Sequence, residues 1–228
     1  MRGDGDGWSW SPDGSKHWGK HGAAGLLLRA PLEDGRPAVL LQHRAFWSHQ
    51  GGTWALPGGA RDSHETTIHA AVREAEEEAG ISGSLLRVRA ERVTHRAEGG
   101  WSYTTVIADA AAPLATVRNR ESAELRWVPE DDVDALRLHP GFAASWPQLK
   151  TSRLQLMLDG VSDLAALTAA LPRTIELPDD GFGWLPSVDA AVDAPDGSGT
   201  ATVLIGDTAD SDRRSSVVLT MAFADIVS

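Results

Sequence analysis

Apolar and polar positions divide the chain into three regions. In the middle region, AAGLLLRA (23–30) and PAVLLQHR (37–44) are near-continuous apolar runs of strand length, joined by a short Asp34-Gly35 turn. Over residues 62–79 the period changes. Ile68, Ala71, Val72, Ala75 and Ala79 recur at helical spacing and form one apolar face. Asp62 or Ser63 is expected to cap this helix, with Glu65 closing a capping box onto Asp62 and Gly80 ending the helix. β-rich segments follow at 85–96 and 102–110 around a Glu98-Gly99-Gly100 turn, and a strand at 124–129 ends at proline. Residues 130–136 and 141–149 read as short helices. Strands linked now by hairpins, now by helices, predict a mixed sheet with helices on its faces, an α/β class.

The flanks have no such order. Residues 1–20 are rich in Gly, Asp, Ser and Trp, with turn formers dominant, and read as a flexible or loosely docked N-terminal arm. Trp8, Trp10 and Trp18 are unusual for a tail, and one or more of them is expected to dock on the body. Residues 151–228 form an acidic C-terminal extension: a helix at 161–171 ending at Pro172, proline- and glycine-rich loops, and strands at 200–207 and 215–226 around the turn TADSDRR. A freestanding core of that size would be small. Homodimerisation is one role for it and contact with a protein partner another. The expected organisation is therefore an arm (1–20), a central domain (21–150) and the extension (151–228).

Composition removes several kinds of chemistry. The chain has 228 residues and no cysteine, which excludes disulfides, thiolate metal sites and a cysteine nucleophile. With 21 Lys+Arg against 32 Asp+Glu, the formal net charge is -11. Such a chain repels a polyphosphate backbone, so nucleic acid is not an expected partner. No apolar run approaches the roughly 18–20 residues of a membrane span, so no membrane partner is expected. The N-terminus lacks the apolar core of a secretory signal, which makes the cytoplasm the default location. The eight histidines show no zinc-type spacing. A nucleophile elbow, a P-loop and an H-E-x-x-H helix are also missing from the sequence.

The chemistry lies in GGARDSHETTIHAAVREAEEEAGI, residues 58–81. Glu74, Glu77 and Glu78 fall within about 100° of one another on the helical wheel, away from the apolar stripe. Like charges at this spacing repel by about a few tenths of a kcal/mol per pair, so a bare acidic run reads as a solvated face. Two features point elsewhere. The run sits toward the helix C-terminus, where the macrodipole disfavours anions. A glycine-rich loop also brings exposed backbone to the helix start. Hard oxygen donors in that setting suit Mg²⁺ or Mn²⁺, completed by water and substrate phosphates.

The same residues resemble the Nudix box, G-x5-E-x7-R-E-U-x-E-E-x-G-U, where U is a bulky aliphatic residue. Here Gly59, Glu65, Arg73, Glu74, Glu77, Glu78, Gly80 and Ile81 stand at the required spacing, and Ala75 is a small residue at the first U. The resemblance is to Nudix hydrolases of the MutT-like kind and covers about residues 20–150. It implies an α/β/α sandwich around a mixed sheet, with the box as loop–helix–loop. It also implies that the carbonyl of Gly58 and the carboxylates of Glu74, Glu77 and Glu78 ligate Mg²⁺, or Mn²⁺, and that Glu65 and Arg73 pair to hold the loop against the helix. Arg73 would orient the catalytic glutamate. Glu121, six residues before Trp127, stands where such proteins place a metal-binding or base glutamate. Glu77 and Glu74 are the first candidates for the base, with Glu121 third. Glu124 reads as structural.

The implied reaction is metal-dependent hydrolysis of a phosphoanhydride in a nucleoside diphosphate linked to another moiety, a small-molecule nucleotide. Selectivity would come from outside the box. Arg44, His43 and His49 are candidates to meet phosphate, and Phe46, Trp47, Trp101 and Tyr103 to stack on a base. The alternative is a Nudix-fold module that binds a nucleotide derivative, or a protein, without turnover. Intact box acids count against it.

Overall fold

The computed structural model describes residues 3–48, 50–159, 172–177, 181–185, 200–205 and 218–222. It contains two compact units, Met1–Pro147 and Gln148–Ser228. The first opens with a hairpin, β1 (Trp8–Trp10) and β2 (Lys16–Trp18), then β3 (Ala23–Pro31), β4 (Pro37–Arg44), β5 (Trp54–Ala55) and β6 (Gly58–Ala60). Helix α1 (Thr67–Ala79) is followed by β7 (Arg87–Arg96), β8 (Ser102–Asp109) and β9 (Ser122–Pro129). A 3-10 turn over Glu130–Ala135 leads to α2 (Pro140–Leu149).

Seven of these strands make one mixed sheet, in the order β5-β4-β3-β8-β7, with β6 on β3 and β9 on β4. β3 and β8 run parallel, from Ala23 beside Tyr103 to Arg29 beside Asp109, while the hairpin partners are antiparallel. This is the expected mixed α/β architecture. It follows from the runs in β3 and β4, which are buried along nearly their whole length, as strands covered on both faces are.

Helix α1 lies on this sheet through Ala70, Ala71, Ala75 and Ala79, which join Ala24, Leu26, Leu28, Leu40 and Val106 in one apolar cluster. Ala75, at the position of a bulky aliphatic residue, is fully buried in that cluster. The helix begins later than expected. Thr66 is the N-cap, its hydroxyl accepting from the His69 amide at 3.1 Å, and Gly80 ends the helix with φ 69°. Asp62 and Glu65 do bond to each other, Asp62 N–H to Glu65 Oε2 at 3.0 Å, but they close a turn ahead of the helix.

The arm is paired and docked over its described length. β1 and β2 align Trp8 with Trp18. Trp101 Nε1–H donates to the Gly19 carbonyl at 2.8 Å, and His17 stacks on Trp101 at 4.6 Å. Trp10 stays 70% exposed.

The second unit has a five-stranded sheet of β10 (Thr151–Asp159), β11 (Thr174–Glu176), β12 (Phe182–Trp184), β13 (Thr200–Ile205) and β14 (Val218–Ala222), ordered β11-β12-β10-β13-β14. Phe182 and Trp184 are buried. The last two strands match the expected pair at 200–207 and 215–226, with shorter bounds. The helix expected at 161–171 and the turn at 208–214 lie outside the described residues. Among the described residues, no helix is long and apolar enough to cross a membrane.

Candidate active site

β6 lays the glycine pair Gly58-Gly59 along the first residues of β3, Gly25 opposite Gly58 and Ala24 opposite Gly59. The chain then runs through residues 61–66 into α1, which returns across the sheet. The last turns of α1 thus come back beside the loop that precedes it.

Arg73 is the hub. Its Nε donates to Glu65 Oε1 at 2.7 Å and its Nη2 to Glu65 Oε2 at 3.0 Å, a two-pronged grip on one carboxylate. Nη2 also bonds the Ala60 carbonyl at 2.9 Å, and Nη1 bonds Glu74 Oε1 at 2.8 Å. Glu77 Oε2 lies 3.6 Å from Nη1, an i,i+4 pair. The guanidinium holds Glu65 well below the usual carboxylate range, and this hydrogen bond to Glu65 is the main reason its own pKa rises.

The three helix acids differ sharply. Glu77 is open, its side chain 61% exposed. Glu74 is 14% exposed, and burial raises its pKa to about 6, against the pull of Arg73 and with help from Glu77 and Glu121. Glu78 is 5% exposed and belongs to the buried interior. Its Oε2 accepts the Gly58 amide at 2.8 Å. Burial first, then the charge of Glu74, raises its pKa to about 8, opposed by the Gly58 amide, the Gln42 side chain and Arg44. Glycine at 59 lets the Glu74 carboxylate lie against the loop: a Cβ there would come within 2.5 Å of it and push that side chain aside.

The flanking candidates cluster unevenly. Glu121 is exposed immediately before β9, with its backbone carbonyl bonded to Ala45 N–H at 2.9 Å and its charge felt at Glu74. Arg44, at the end of β4, is felt at Glu78 and at Tyr103. The Tyr103 hydroxyl sits against Gly25 and Gly58, so tightly that a Cβ on Gly25 would overlap it. Burial raises the pKa of this phenol. Phe46 and Trp47 project from the loop after β4, 80% and 68% exposed. His43 instead stacks on Trp54 at 4.8 Å. His49 lies outside the described residues. Glu124 pairs with Arg126 at 2.8 Å on the surface.

Sequence reasoning missed two features. Gln42 comes from β4 to hydrogen bond at Glu78, and its amide also donates to Ser122 Oγ at 2.8 Å. A lone amide in an apolar strand was the available signal. The other is Asp4, Asp62 and His64, the set among the described residues whose ligand atoms all lie within 4.8 Å of one another. Glu74, Glu77 and Glu78 are not drawn together to that degree: Arg73 holds Glu74, and Gly58 holds Glu78.

The acids beside the Gly58 loop offer hard oxygens, Glu74 partly buried and Glu78 buried, and the charge of Glu74 is felt at Glu78. That set fits a divalent cation such as Mg²⁺.

Comparison with known proteins gives the family. The NUDIX domain family matches residues 19–149. Over 194 residues the chain is 58% identical to a Mycobacterium tuberculosis protein named "Putative 8-oxo-dGTP diphosphatase 3", an alignment that covers 83% of this chain and 88% of that protein. A nucleoside triphosphate pyrophosphatase/Nudix hydrolase fusion protein of Bifidobacterium longum is 43% identical over 151 residues, 63% of this chain and 30% of that one. Among solved structures, a Nudix hydrolase from M. smegmatis, RenU, is 67% identical and superposes with a TM-score of 0.61 over 63% of this chain and 91% of its own.

Proposed function

The chain belongs to the Nudix family and is a Nudix hydrolase, and from that premise we propose that it cleaves an oxidised purine nucleoside triphosphate, 8-oxo-dGTP first, with Mg²⁺. The name of the mycobacterial relative supports that choice of substrate. The observation that carries the mechanism is the buried Glu78 carboxylate on the Gly58 amide, next to a Glu74 that Arg73 restrains.

Glu74 and Glu78 are held toward their protonated forms by burial and by each other. A cation removes that penalty, so Gly58 through its carbonyl, Glu74, Glu77, Glu78 and Glu121 are the residues that would hold Mg²⁺. Bound there, it supplies the charge that diphosphate oxygens require and acidifies water. Glu77, the open one of the three helix acids, takes the proton from the attacking water. The water oxygen bonds one phosphorus, the bridging P–O bond breaks, and two phosphate products leave. Arg73 keeps Glu74 and Glu77 in line for this step. Arg44 meets phosphate, joined by His49 five residues later. Trp47 stacks on the base. The Tyr103 hydroxyl props Gly58.

The test is formation of the nucleoside monophosphate, separated by chromatography, with and without Mg²⁺, from 8-oxo-dGTP, normal nucleoside triphosphates, ADP-ribose, nucleotide sugars and dinucleoside polyphosphates. Metal-dependent turnover fastest with 8-oxo-dGTP is expected. Glu77→Gln should lower kcat by about 10²–10⁴-fold, the usual worth of a general base, with an unchanged melting curve. A preference for another class sinks the substrate assignment. An active Glu77→Gln sinks the role of Glu77.

A further inference from the structure

The residues before the matched family region are wired into the box loop. We propose that residues 3–7 form a clasp in which Asp4 is a positioning residue for the hydrolysis, acting through Asp62, Glu65 and Arg73. The inference rests on the roles given above to Arg73 and Glu74.

The connection is a continuous run of hydrogen bonds. Asp4 Oδ1 accepts the Ser63 amide at 2.9 Å, and its Oδ2 accepts the Ser63 hydroxyl at 2.5 Å. In return, Gly5 N–H donates to Asp62 Oδ1 at 2.7 Å. The Asp62 amide donates to Glu65 Oε2 at 3.0 Å, the carboxylate that Arg73 grips from two sides. Arg73 then holds Glu74 at 2.8 Å. On its other side the segment is zipped to the entry of β3: Lys20 N–H donates to Gly5 O at 2.8 Å and Gly19 N–H to Gly7 O at 2.7 Å.

The alternation Gly3-Asp4-Gly5 fits this task. A Cβ on Gly3 would overlap the Asp62 carboxylate, and one on Gly5 would overlap the Arg61 carbonyl. The glycines let backbone lie flat on the loop, and the aspartate between them reaches across to Ser63. The loop needs this support because residues 61–66 belong to neither strand nor helix. Arg61 contributes a second tie, its guanidinium donating to the His21 carbonyl at 2.7 Å and 3.0 Å. If the loop drifts, Glu65 drifts with it and the grip on Arg73 loosens. Since the clasp reaches the reacting centre only through Asp62, Glu65 and Arg73 and meets no substrate, its loss should appear in kcat and leave KM alone.

The experiment uses the full chain with Mg²⁺ and 8-oxo-dGTP. Asp4→Ala should lower kcat by about three- to tenfold, with KM within about twofold, as a small misplacement of catalytic groups would. Asp4→Asn, whose amide oxygen still accepts from Ser63, should recover most of the rate. In a Glu65→Gln background Asp4→Ala should add nothing, because both changes cut one network. Gly5→Val should reproduce Asp4→Ala by lifting the segment off Arg61. Without substrate, amide exchange over residues 58–66 should accelerate in Asp4→Ala while the core strands keep their protection. Unchanged exchange at 58–66 in both variants, a change in KM alone, or equal rate losses with and without Glu65 would each overturn the clasp. A wild-type chain that does not hydrolyse the probe would sink the functional reading and leave amide exchange to decide this one.

Discussion

Two arginine–glutamate pairs stand in different parts of the first unit, and they differ in kind. Arg29, inside β3, meets Glu130, just after β9, at 2.6 Å, with side chains 0% and 5% exposed. Arg73, on α1, meets Glu65 at 2.7 Å, with side chains 31% and 10% exposed, and also touches Glu74, Ala60 and Glu77. The first pair ties two distant stretches of chain together out of water. The second spreads one cation over several groups where α1 meets the glycine loop. Deep burial makes an ion pair costly to break, whereas partial exposure leaves it weak in stability and useful in orientation.

The contrast can be broken at its strong end first. Glu130→Ala leaves a buried guanidinium without this carboxylate, and should cost about 3–5 kcal/mol of unfolding free energy in urea titrations. The double change Arg29→Met with Glu130→Leu should recover most of that loss, since an apolar pair replaces two desolvated charges. Neither variant should alter kcat in the protein that remains folded. If the double variant is no more stable than Glu130→Ala, the loss comes from packing and the contrast fails.

In the partly exposed pair, Arg73→Gln should act the other way round. Stability should fall by about 1–2 kcal/mol, the worth of a few partly exposed charged hydrogen bonds. Turnover should fall by about 10–100-fold, because Glu74 and Glu77 lose their common tether. Steady-state kinetics beside a denaturation curve separate the two. Loss of stability alone would make Arg73 another Arg29.

The smallest effect calibrates the scale. Glu124 and Arg126 bond at 2.8 Å with both side chains nearly half exposed. Glu124→Ala should change stability by less than about 0.5 kcal/mol and leave kcat as it was.

What could be read in advance divides along similar lines. β3, β4 and α1 announce themselves because burial on both faces, or on one stripe, writes a period into the sequence. The box residues were identifiable by spacing. The cap was misassigned to Asp62 or Ser63 because Glu65 stands three places on, as in a capping box. Glu65 does bond back to the Asp62 amide while Arg73, eight positions later, grips the same carboxylate, but that turn stands ahead of the helix, which Thr66 caps. The helical wheel grouped Glu78 with Glu74 and Glu77 as one outward face. It holds no information about Gly58, twenty residues earlier, folding over Glu78 and burying it. The arm reads as flexible or loosely docked, with the place of its docking left open, for the same reason. Its partners Asp62 and Ser63 lie 57 and 59 residues away, and contacts at that range leave no local pattern.

The contact surface of α1 has a consequence for how the site can vary. Ala70, Ala71, Ala75 and Ala79 share one cluster with Ala24, Leu26, Leu28, Leu40 and Val106 of the sheet, so on the buried face of the helix methyl groups set the gap. Methyls have no rotamers to adjust and no slack to give. The helix therefore behaves as a shim of fixed thickness. Enlarging any one of these alanines would tilt the whole rod and carry its carboxylates away from the glycine loop together, so sequence drift under α1 is felt as misalignment at the proposed metal ligands before it is felt as unfolding.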